Sequence, residues 1–305
     1  MLAIAQAIAP IFLIIVAGFA FKRARFPGEG FWQPAERLAY YVLLPALIVR
    51  HLAGADLAGI QVAEYTTLIV VVALATSALT LALKPLLRMD GPAFTSVLQG
   101  AIRLNSYIGF GIAEALWGAQ GVVLVALFVA VMMPVVNVIC IGVLAAFAHS
   151  GTPNWKRVPA EIAKNPIIVA CAVGWALNAL AVPLPGWVND LLGIFAKGAL
   201  PVALLCVGAG LDHGAGRGLR PGALALACGI KLLVMPAIAL AAAHALGLTG
   251  LGFTVAVMFS AVPASPASYV LARQLGGDAA LMAGILTAQT ALAALTVPAL
   301  VAWLG

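Results

Sequence analysis

Apolar residues occur in ten long runs along the chain, and a short polar or basic connection separates each run from the next. Each run holds about 20 mostly apolar residues, the length that a helix needs to cross a bilayer. The pattern predicts an all-helical, multi-pass membrane protein, with spans near 2–21, 34–52, 62–86, 92–117, 120–148, 162–182, 188–210, 221–246, 251–273 and 278–303.

The composition excludes a water-soluble globular domain. Of the 305 residues, 64% are hydrophobic and 9% are charged, whereas soluble domains carry about 25% charged residues. The first run has no basic segment before it, so we expect a span there and not a signal peptide. The sequence contains no Walker loop, HExxH or GxSxG motif, which argues against an ATP-driven pump or a familiar hydrolase.

Four cysteines lie inside the predicted spans, at no spacing typical of metal ligands: Cys140, Cys171, Cys206 and Cys228. We interpret them as small apolar packing residues, and we expect neither a metal site nor a cofactor.

The basic residues lie almost entirely in alternate connections. Connections after odd-numbered spans hold eleven of them, against Arg50 alone after the even-numbered spans: Lys22, Arg23, Arg25, Lys84, Arg88, Lys156, Arg157, Lys164, Arg217, Arg220 and Arg273. Basic connections favour the cytoplasmic side, so the pattern predicts both termini on the opposite side of the membrane, which in a bacterial inner membrane is the periplasm. This sidedness accounts for the net charge of +6 without a nucleic-acid partner.

Two proline-anchored matches indicate an internal duplication. "PIFLIIVAGFA" at Pro10–Ala20 matches "PIIVACAVGWA" at Pro166–Ala176, and "LLPALIV" at Leu43–Val49 matches "ALPVALL" at Ala199–Leu205, both at an offset of 156 residues. The predicted units are 1–148, a cytoplasmic linker at 149–161, and 162–305. Five spans per repeat is an odd number, so the second repeat would be inverted, as in many secondary transporters. A chance match in a ten-helix protein is the alternative.

The ninth span contains "SAVPASPASYVLARQ", which predicts a break inside the membrane. Ser265 and Pro266 form an N-cap followed by a proline, which is a helix-start signal, and Pro263 lies just before them. The fourth span contains "IRLNSYIGFG", in which Asn105 is the candidate cap, without a proline. Two restarting half-helices would direct N–H groups and partial positive charge to one place, which favours an anion site. Structural kinks are the alternative.

Arg103 lies about 16 Å into the fourth span at 1.5 Å per residue. An arginine at that depth is costly unless it is paired. It could bind a carboxylate substrate through two parallel hydrogen bonds, or it could be a fixed structural cation in the place of a sodium ion.

Four further polar residues in or near spans have two interpretations each. Lys231 could titrate a proton, or it could pair with a carbonyl group or with Glu114, which could also simply extend toward water. Asn137 and Gln289 could line the cavity or bridge helices. Asp212-His213 is typical of a hydrated helix end.

Four segments resemble bacterial members of the auxin efflux carrier family: "RLAYYVLLPALIVRHLAGADL", "RLNSYIGFGIAEALWG", "NPIIVACAVGW" and "PASPASYVLARQLGGD". The resemblance implies a fold similar to plant PIN auxin exporters and bile-acid symporters, with ten helices in two inverted repeats and broken helices 4 and 9. Spans 1, 2, 6 and 7 would form a scaffold that often dimerises. Spans 3–5 and 8–10 would form a transport domain that moves as an elevator.

The resemblance also implies substrates and a binding site. The substrates would be small organic anions, such as malonate or other dicarboxylates. The site would lie where the broken helices cross, at Arg103, Asn105, Ser106, Tyr107, Pro263, Ser265, Pro266, Ser268 and Tyr269. The chain departs from the plant proteins in lacking a proline in the first crossing segment and a long central loop, and both departures argue against auxin itself.

The sequence therefore favours a secondary carrier of small carboxylates. A membrane-embedded anion sensor is the main alternative, although such a protein would usually bring an output domain. A membrane enzyme is the third, but no nucleophile–base or metal constellation is visible in the sequence.

Overall fold

The computed structural model describes residues 2–28, 30–56, 60–87, 89–148, 163–211 and 220–304. The predicted linker 149–161 and the residues Arg88, Lys156, Arg157, Asp212, His213 and Arg217 lie outside these ranges. All regular elements within the ranges are helical, which confirms the all-helical class.

Thirteen α-helices account for most of the described residues: α1 Leu2–Arg23, α2 Trp32–Leu38, α3 Leu44–Ala53, α4 Val62–Leu83, α5 Gly91–Ile102, α6 Ser106–Phe147, α7 Pro166–Ala179, α8 Gly186–Ala209, α9 Pro221–Gly229, α10 Met235–Ala245, α11 Gly250–Ser260, α12 Ala267–Gln274 and α13 Ala279–Leu304. A π-helical turn at Ala39–Leu43 joins α2 to α3, and another at Ile230–Val234 joins α9 to α10.

Six segments of the described chain are long and apolar enough to cross a membrane, and the two shorter apolar helices Pro166–Ala179 and Gly250–Ser260 accompany them. One of the six, Gly91–Phe147, covers both the fourth and the fifth predicted spans. These spans are divided at Gly118, whose φ of 56° and ψ of −140° are not helical. The six segments support a multi-pass membrane protein, and the ten-span inverted repeat stays a prediction.

Helices α1, α3, α7 and α8 pack against one another, α1 on α8 and α3 on both α7 and α8. Glycines allow very close approach at these seams, as small residues do between membrane helices. A Cβ atom on Gly18 would lie 2.1 Å from the Leu205 carbonyl oxygen, and one on Gly208 would lie 1.8 Å from that of Ile15. A Cβ atom on Gly174 of α7 would lie 2.6 Å from Cβ of Leu52 and 3.4 Å from Cα of Val49.

The glycine contacts follow the offset found in the sequence. Gly174 lies 156 residues after Gly18, and Leu205 lies 156 residues after Val49. The prolines that anchor the match are less alike, since Pro10 lies inside α1 whereas Pro166 begins α7. These contacts are compatible with the predicted repeat, which stays a prediction, and the helix boundaries of the two segments differ.

The remaining long helices form a second packed group, in which α4 contacts α5, α6, α10 and α11, and α13 contacts α5, α9, α11 and α12. Connections meet at two ends of the bundle. At one end, the Arg220 guanidinium forms a salt bridge with Asp90, and the Ser96 hydroxyl donates to the Asp278 carbonyl at 2.9 Å. At the other end, the Thr249 N–H donates to Gln61 Oε1 at 3.0 Å. These contacts fit the alternation of connections expected from the charge pattern.

Candidate functional site

The first interruption in a membrane helix lies between α5 and α6. Arg103 is extended, with φ −76° and ψ 155°, and Asn105 has φ −85° and ψ 98°. Asn105 Oδ1 accepts hydrogen bonds from the N–H groups of Tyr107 at 3.1 Å and Ile108 at 3.4 Å. This side chain therefore caps the restarting helix, as predicted, and the break forms without a proline.

The second interruption separates α11, which ends at Ser260, from α12, which begins at Ala267. The Ser265 hydroxyl accepts from the Ala267 N–H at 3.3 Å, and the Ser265 carbonyl accepts from the Ser268 N–H at 2.9 Å. Ser265 thus accepts from the first turn of the second half-helix as the sequence predicts, although Pro266, and not Ser265, is the residue directly before that helix. Pro263 and Pro266 have no N–H of their own to satisfy.

A direct hydrogen bond joins the two interruptions. The Asn105 N–H donates to the Pro263 carbonyl at 2.8 Å. Both groups are buried, so each satisfies the other where lipid could not. The two interruptions therefore lie directly against each other, where the sequence predicts that the broken helices cross.

Gln289 on α13 braces the crossing from one side. Its Oε1 accepts from the Ala264 N–H at 2.9 Å, and its Nε2 donates to the carbonyls of Gly100 at 2.9 Å and Ala227 at 3.1 Å. The residue is fully buried. Of its two predicted interpretations, the structure supports helix bridging, because the side chain satisfies backbone groups on α5, α9 and the second interruption.

A small pocket of ≈ 30 Å³ lies at the crossing. Its polar lining consists of Arg103, Ser106, Asn137 and Ser265, and its apolar wall comprises Leu104, Val129, Met132, Met133, Val136 and Phe259. A cavity of this size holds a water molecule or two, so the pocket must widen before a dicarboxylate can enter.

Arg103 is the cation of this pocket. Its guanidinium Nη1 is buried and has no hydrogen-bond partner, and the residue takes part in no salt bridge within the described ranges. A structural cation would be expected to direct its donors at backbone carbonyls, since buried donors are almost always paired. The guanidinium also interacts with the Cys140 thiol, but the unpaired Nη1 leaves one charged donor available at the pocket.

The other predicted site residues lie outside the pocket lining. Asn105 and Pro263 serve the crossing through the bonds described above. Tyr107 is buried in the main hydrophobic core, and Tyr269 packs against a smaller cluster formed by α5, α9, α12 and α13. Ser268 is fully buried, and its hydroxyl has no partner.

Glu114 and Lys231 do not form the pair that the sequence allowed. Glu114 is half-buried in α6, away from the pocket. Lys231 is fully buried in the π-helical turn, and its Nζ contacts Met235 Sδ at 3.2 Å. It forms no salt bridge with any described residue, and no carbonyl accepts from it.

Several residues at the site were not predicted. The apolar wall of the pocket comes from α6 and α11 in positions that look like ordinary core. Outside the pocket, Lys197 lies at the middle of α8 with an exposed side chain. It was not singled out from the sequence, although a lysine inside a long apolar run is a visible signal. The four cysteines form no disulfide, and Cys140, Cys171 and Cys228 are buried.

Three aromatic rings in series connect the crossing pocket with a larger pocket of ≈ 290 Å³ near the end of the bundle that holds His51 and Gln120. Phe259 lines the small pocket, and Tyr65 lines the large one. The Phe128 ring lies between them, with its centroid 4.8 Å from that of Phe259 and 6.2 Å from that of Tyr65. Phe259 also packs on Gly109, where a Cβ atom would lie 1.7 Å from Phe259 Cε2.

Comparison with known proteins shows which proteins this chain is similar to. Residues 155–301 match a family model described as "Membrane transport protein", the auxin efflux carrier-like family. The chain is also 23% identical over 300 residues to an uncharacterized transporter of Methanothermobacter thermautotrophicus, a match that covers 96% of each protein. The resemblance found in the sequence is confirmed, and the two matches indicate a membrane transporter.

Proposed function

We propose that this membrane transporter is a secondary carrier of small organic anions, chiefly carboxylates such as malonate and other dicarboxylates, and that it works by alternating access. The observation that carries the proposal is the unpaired, buried Nη1 of Arg103 at a pocket between two broken helices. Ser106, Ser265 and Asn137 add neutral donors to the same lining. A carboxylate matches this combination, because guanidinium groups bind it through paired hydrogen bonds.

The dimensions of the pockets support an occluded conformation. The crossing pocket of ≈ 30 Å³ is too small for a dicarboxylate. The larger pocket of ≈ 290 Å³ lies beyond the three aromatic rings. We propose that it forms the entrance from the predicted periplasmic side, and that displacement of the Tyr65, Phe128 and Phe259 rings opens the way to Arg103.

We propose two inverted repeats of five spans, with a scaffold of spans 1, 2, 6 and 7. The equivalent contacts of Gly18 with Leu205 and of Gly174 with Val49 support this arrangement. We also propose that the scaffold forms a homodimer in the cytoplasmic membrane. The exposed Lys197 at mid-span supports a covered surface there, because a lysine facing lipid is costly.

Transport into proteoliposomes tests the proposal. Purified protein is reconstituted, and uptake of labelled malonate, malate, lactate and indole acetate is measured beside empty liposomes and the Arg103→Ala variant. We expect uptake of at least one dicarboxylate by the wild type, and none by the variant. Tight binding of the acids without uptake would instead identify a sensor.

Cysteine labelling tests the topology. Single cysteines near the two termini should react with a membrane-impermeant reagent from the periplasmic side, and one in place of Lys156 should react only from the cytoplasmic side. Labelling of the termini from the cytoplasm would contradict the inverted repeat together with the orientation.

A further inference from the structure

Three buried polar side chains lack adequate partners in a part of the bundle that the anion pocket does not include. Thr76 on α4, Gln99 on α5 and Lys231 in the π-helical turn are all fully buried. Neither Thr76 Oγ1 nor the two polar atoms of Gln99 has a hydrogen-bond partner. Lys231 Nζ has only the Met235 thioether. Unpaired polar groups are rare in folded interiors, so three in neighbouring elements require an explanation.

The three residues occupy one level of the bundle. The elements that carry them, α4, α5 and the π-helical turn, pack against one another. The Asp90–Arg220 salt bridge places the starts of α5 and α9 at the same end. At 1.5 Å per residue, Thr76 lies about 11 Å from the last residue of α4. Gln99 lies about 12 Å from the first residue of α5, and Lys231 about 15 Å from the first residue of α9.

The surroundings of Lys231 favour an uncharged amine. A thioether is a weak acceptor, and an unpaired buried ammonium is strongly unfavourable. The helices packed against the turn are α4, α5, α9, α10 and α13, and their titratable residues are Glu64, Tyr65, Cys228 and His244. Glu64 lies about 18 Å along α4 from Thr76, and His244 about 20 Å along the chain from Lys231. Neither can serve as a counter-ion.

We propose that Lys231 is the proton-binding site of the carrier, and that Gln99 Oε1 and Thr76 Oγ1 accept the ammonium N–H groups once the proton has bound. The inference rests on the proposed function and assigns its coupling ion. A proton from water on one side of the membrane adds to the Nζ lone pair and leaves from Nζ on the other side. No other group is changed in the cycle.

The two sites are physically linked. The Arg103 N–H donates to the Gln99 carbonyl at 3.0 Å, so Gln99 lies one helical turn before the cation of the anion pocket. Gln289 ties the neighbouring Gly100 to Ala227, four residues before Lys231. The negative charge of a bound carboxylate favours the protonated amine, and the ammonium in turn favours the carboxylate. We therefore expect the acid anion and the proton to move in the same direction.

The test compares wild type, Lys231→Met and the exposed control Lys22→Met in proteoliposomes with labelled malonate, or with whichever of the four acids the wild type transports. Methionine keeps the apolar stem of lysine and removes the amine. We expect an inward proton gradient to accelerate wild-type and control uptake about tenfold or more. Lys231→Met should exchange internal for external substrate but show no response to the gradient, and no substrate-dependent proton uptake by an entrapped pH dye.

A second variant covers the case in which Lys231→Met does not fold. Gln99→Leu removes an acceptor of the protonated amine, so the proton concentration for half-maximal uptake should rise about threefold or more. Wild-type transport that ignores the gradient, a wild-type gradient response in Lys231→Met, or an unchanged midpoint in Gln99→Leu would overturn the proton site alone. Absence of transport of any acid by the wild type would overturn the proposed function as well.

Discussion

The two interruptions at the crossing are built in different ways. The first is three residues long, contains Arg103, and depends on a single side-chain cap from Asn105. The second is longer, contains two prolines, and is held by Gln289 from a neighbouring helix. One backbone hydrogen bond from Asn105 to Pro263 joins them.

The two interruptions therefore have different roles. The first interruption supplies the charge and has little to hold its shape besides its cap. In the second interruption, Pro263 and Pro266 have no N–H group, and the Ala264 N–H donates to Gln289 of α13. We therefore expect substitutions in the first interruption to affect transport most, and those around the second to affect stability.

Arg103→Lys should have the largest effect on transport. Lysine keeps the charge but loses the planar fork that binds a carboxylate, so substrate affinity should fall about ten- to a hundredfold. Melting of the ligand-free protein should be unchanged. Binding titration and thermal unfolding measure the two effects, with the exposed Arg273→Lys as control. Retained affinity with lowered ligand-free stability would assign Arg103 a structural role instead.

Gln289→Leu should have the largest effect on stability. The change leaves the Ala264 N–H and the Gly100 and Ala227 carbonyls buried and unpaired, at a cost of about 2–4 kcal/mol. Chemical unfolding in detergent measures it. The matched control Gln274→Leu, on the exposed end of α12, should change stability by less than about 0.5 kcal/mol. Equal stability of the two variants would contradict the bracing role.

Asn105→Ala should reduce both stability and transport. The control is Asp278→Ala, because the Asp278 carboxylate caps the start of α13 by accepting from the Leu281 N–H at 2.9 Å and does not line the anion pocket. Each change should cost about 1 kcal/mol. Uptake should fall only for Asn105→Ala, since its helix begins at the anion pocket. An equal loss of uptake in both variants would show that the loss reflects stability alone.

Pro263→Ala combined with Pro266→Ala should have a smaller effect on transport. The bonds from Gln289 to Ala264 and from Asn105 to residue 263 do not depend on the proline rings, so we expect the interruption to persist. Stability should fall by about 0.4–1 kcal/mol for each proline, because the unfolded chain gains freedom. Uptake and unfolding are measured on the same preparation. Complete loss of uptake would show that the prolines themselves hold the interruption open.

Asp90→Asn should have the smallest effect. Hydrogen bonding from the Ala93 N–H and the nearby Arg220 guanidinium lower the pKa of the Asp90 carboxyl. The pair therefore contributes stability above the carboxyl's ordinary pKa, and that contribution disappears as pH falls through the lowered pKa. Both side chains are about half exposed (48% and 51%), so solvent screening limits the loss to at most about 1 kcal/mol. Unfolding curves of wild type and variant should converge at low pH.

The caps of both half-helices could be predicted from the sequence because capping is local. Asn105 and Ser265 lie within two or three residues of the N–H groups that they accept from. The sequence left two roles open for Gln289 and could not identify its partners, since these lie 25, 62 and 189 residues away. Only the packing of α13 against α5 and α9 brings them together.

The membrane spans also show which features a local sequence pattern can predict and which it cannot. Apolar runs located the helices, and Gly118 falls between the predicted fourth and fifth spans. The π-helical turn that carries Lys231 left no pattern that distinguishes it from an α-helix. The apolar wall of the anion pocket, with Met132 and Phe259, also reads as ordinary core, because hydrophobic side chains do not reveal whether they face a neighbour or a cavity.

The glycine seams have a mechanical consequence. Where α1 meets α8, backbone lies against backbone at Gly18 and Gly208, and no side chain stands between them that could change rotamer to let one helix slide past the other. Those two helices should therefore behave as a rigid frame. Movement during a cycle is expected at surfaces packed by flexible side chains, such as the methionines beside Arg103, where small shifts need not separate whole helices.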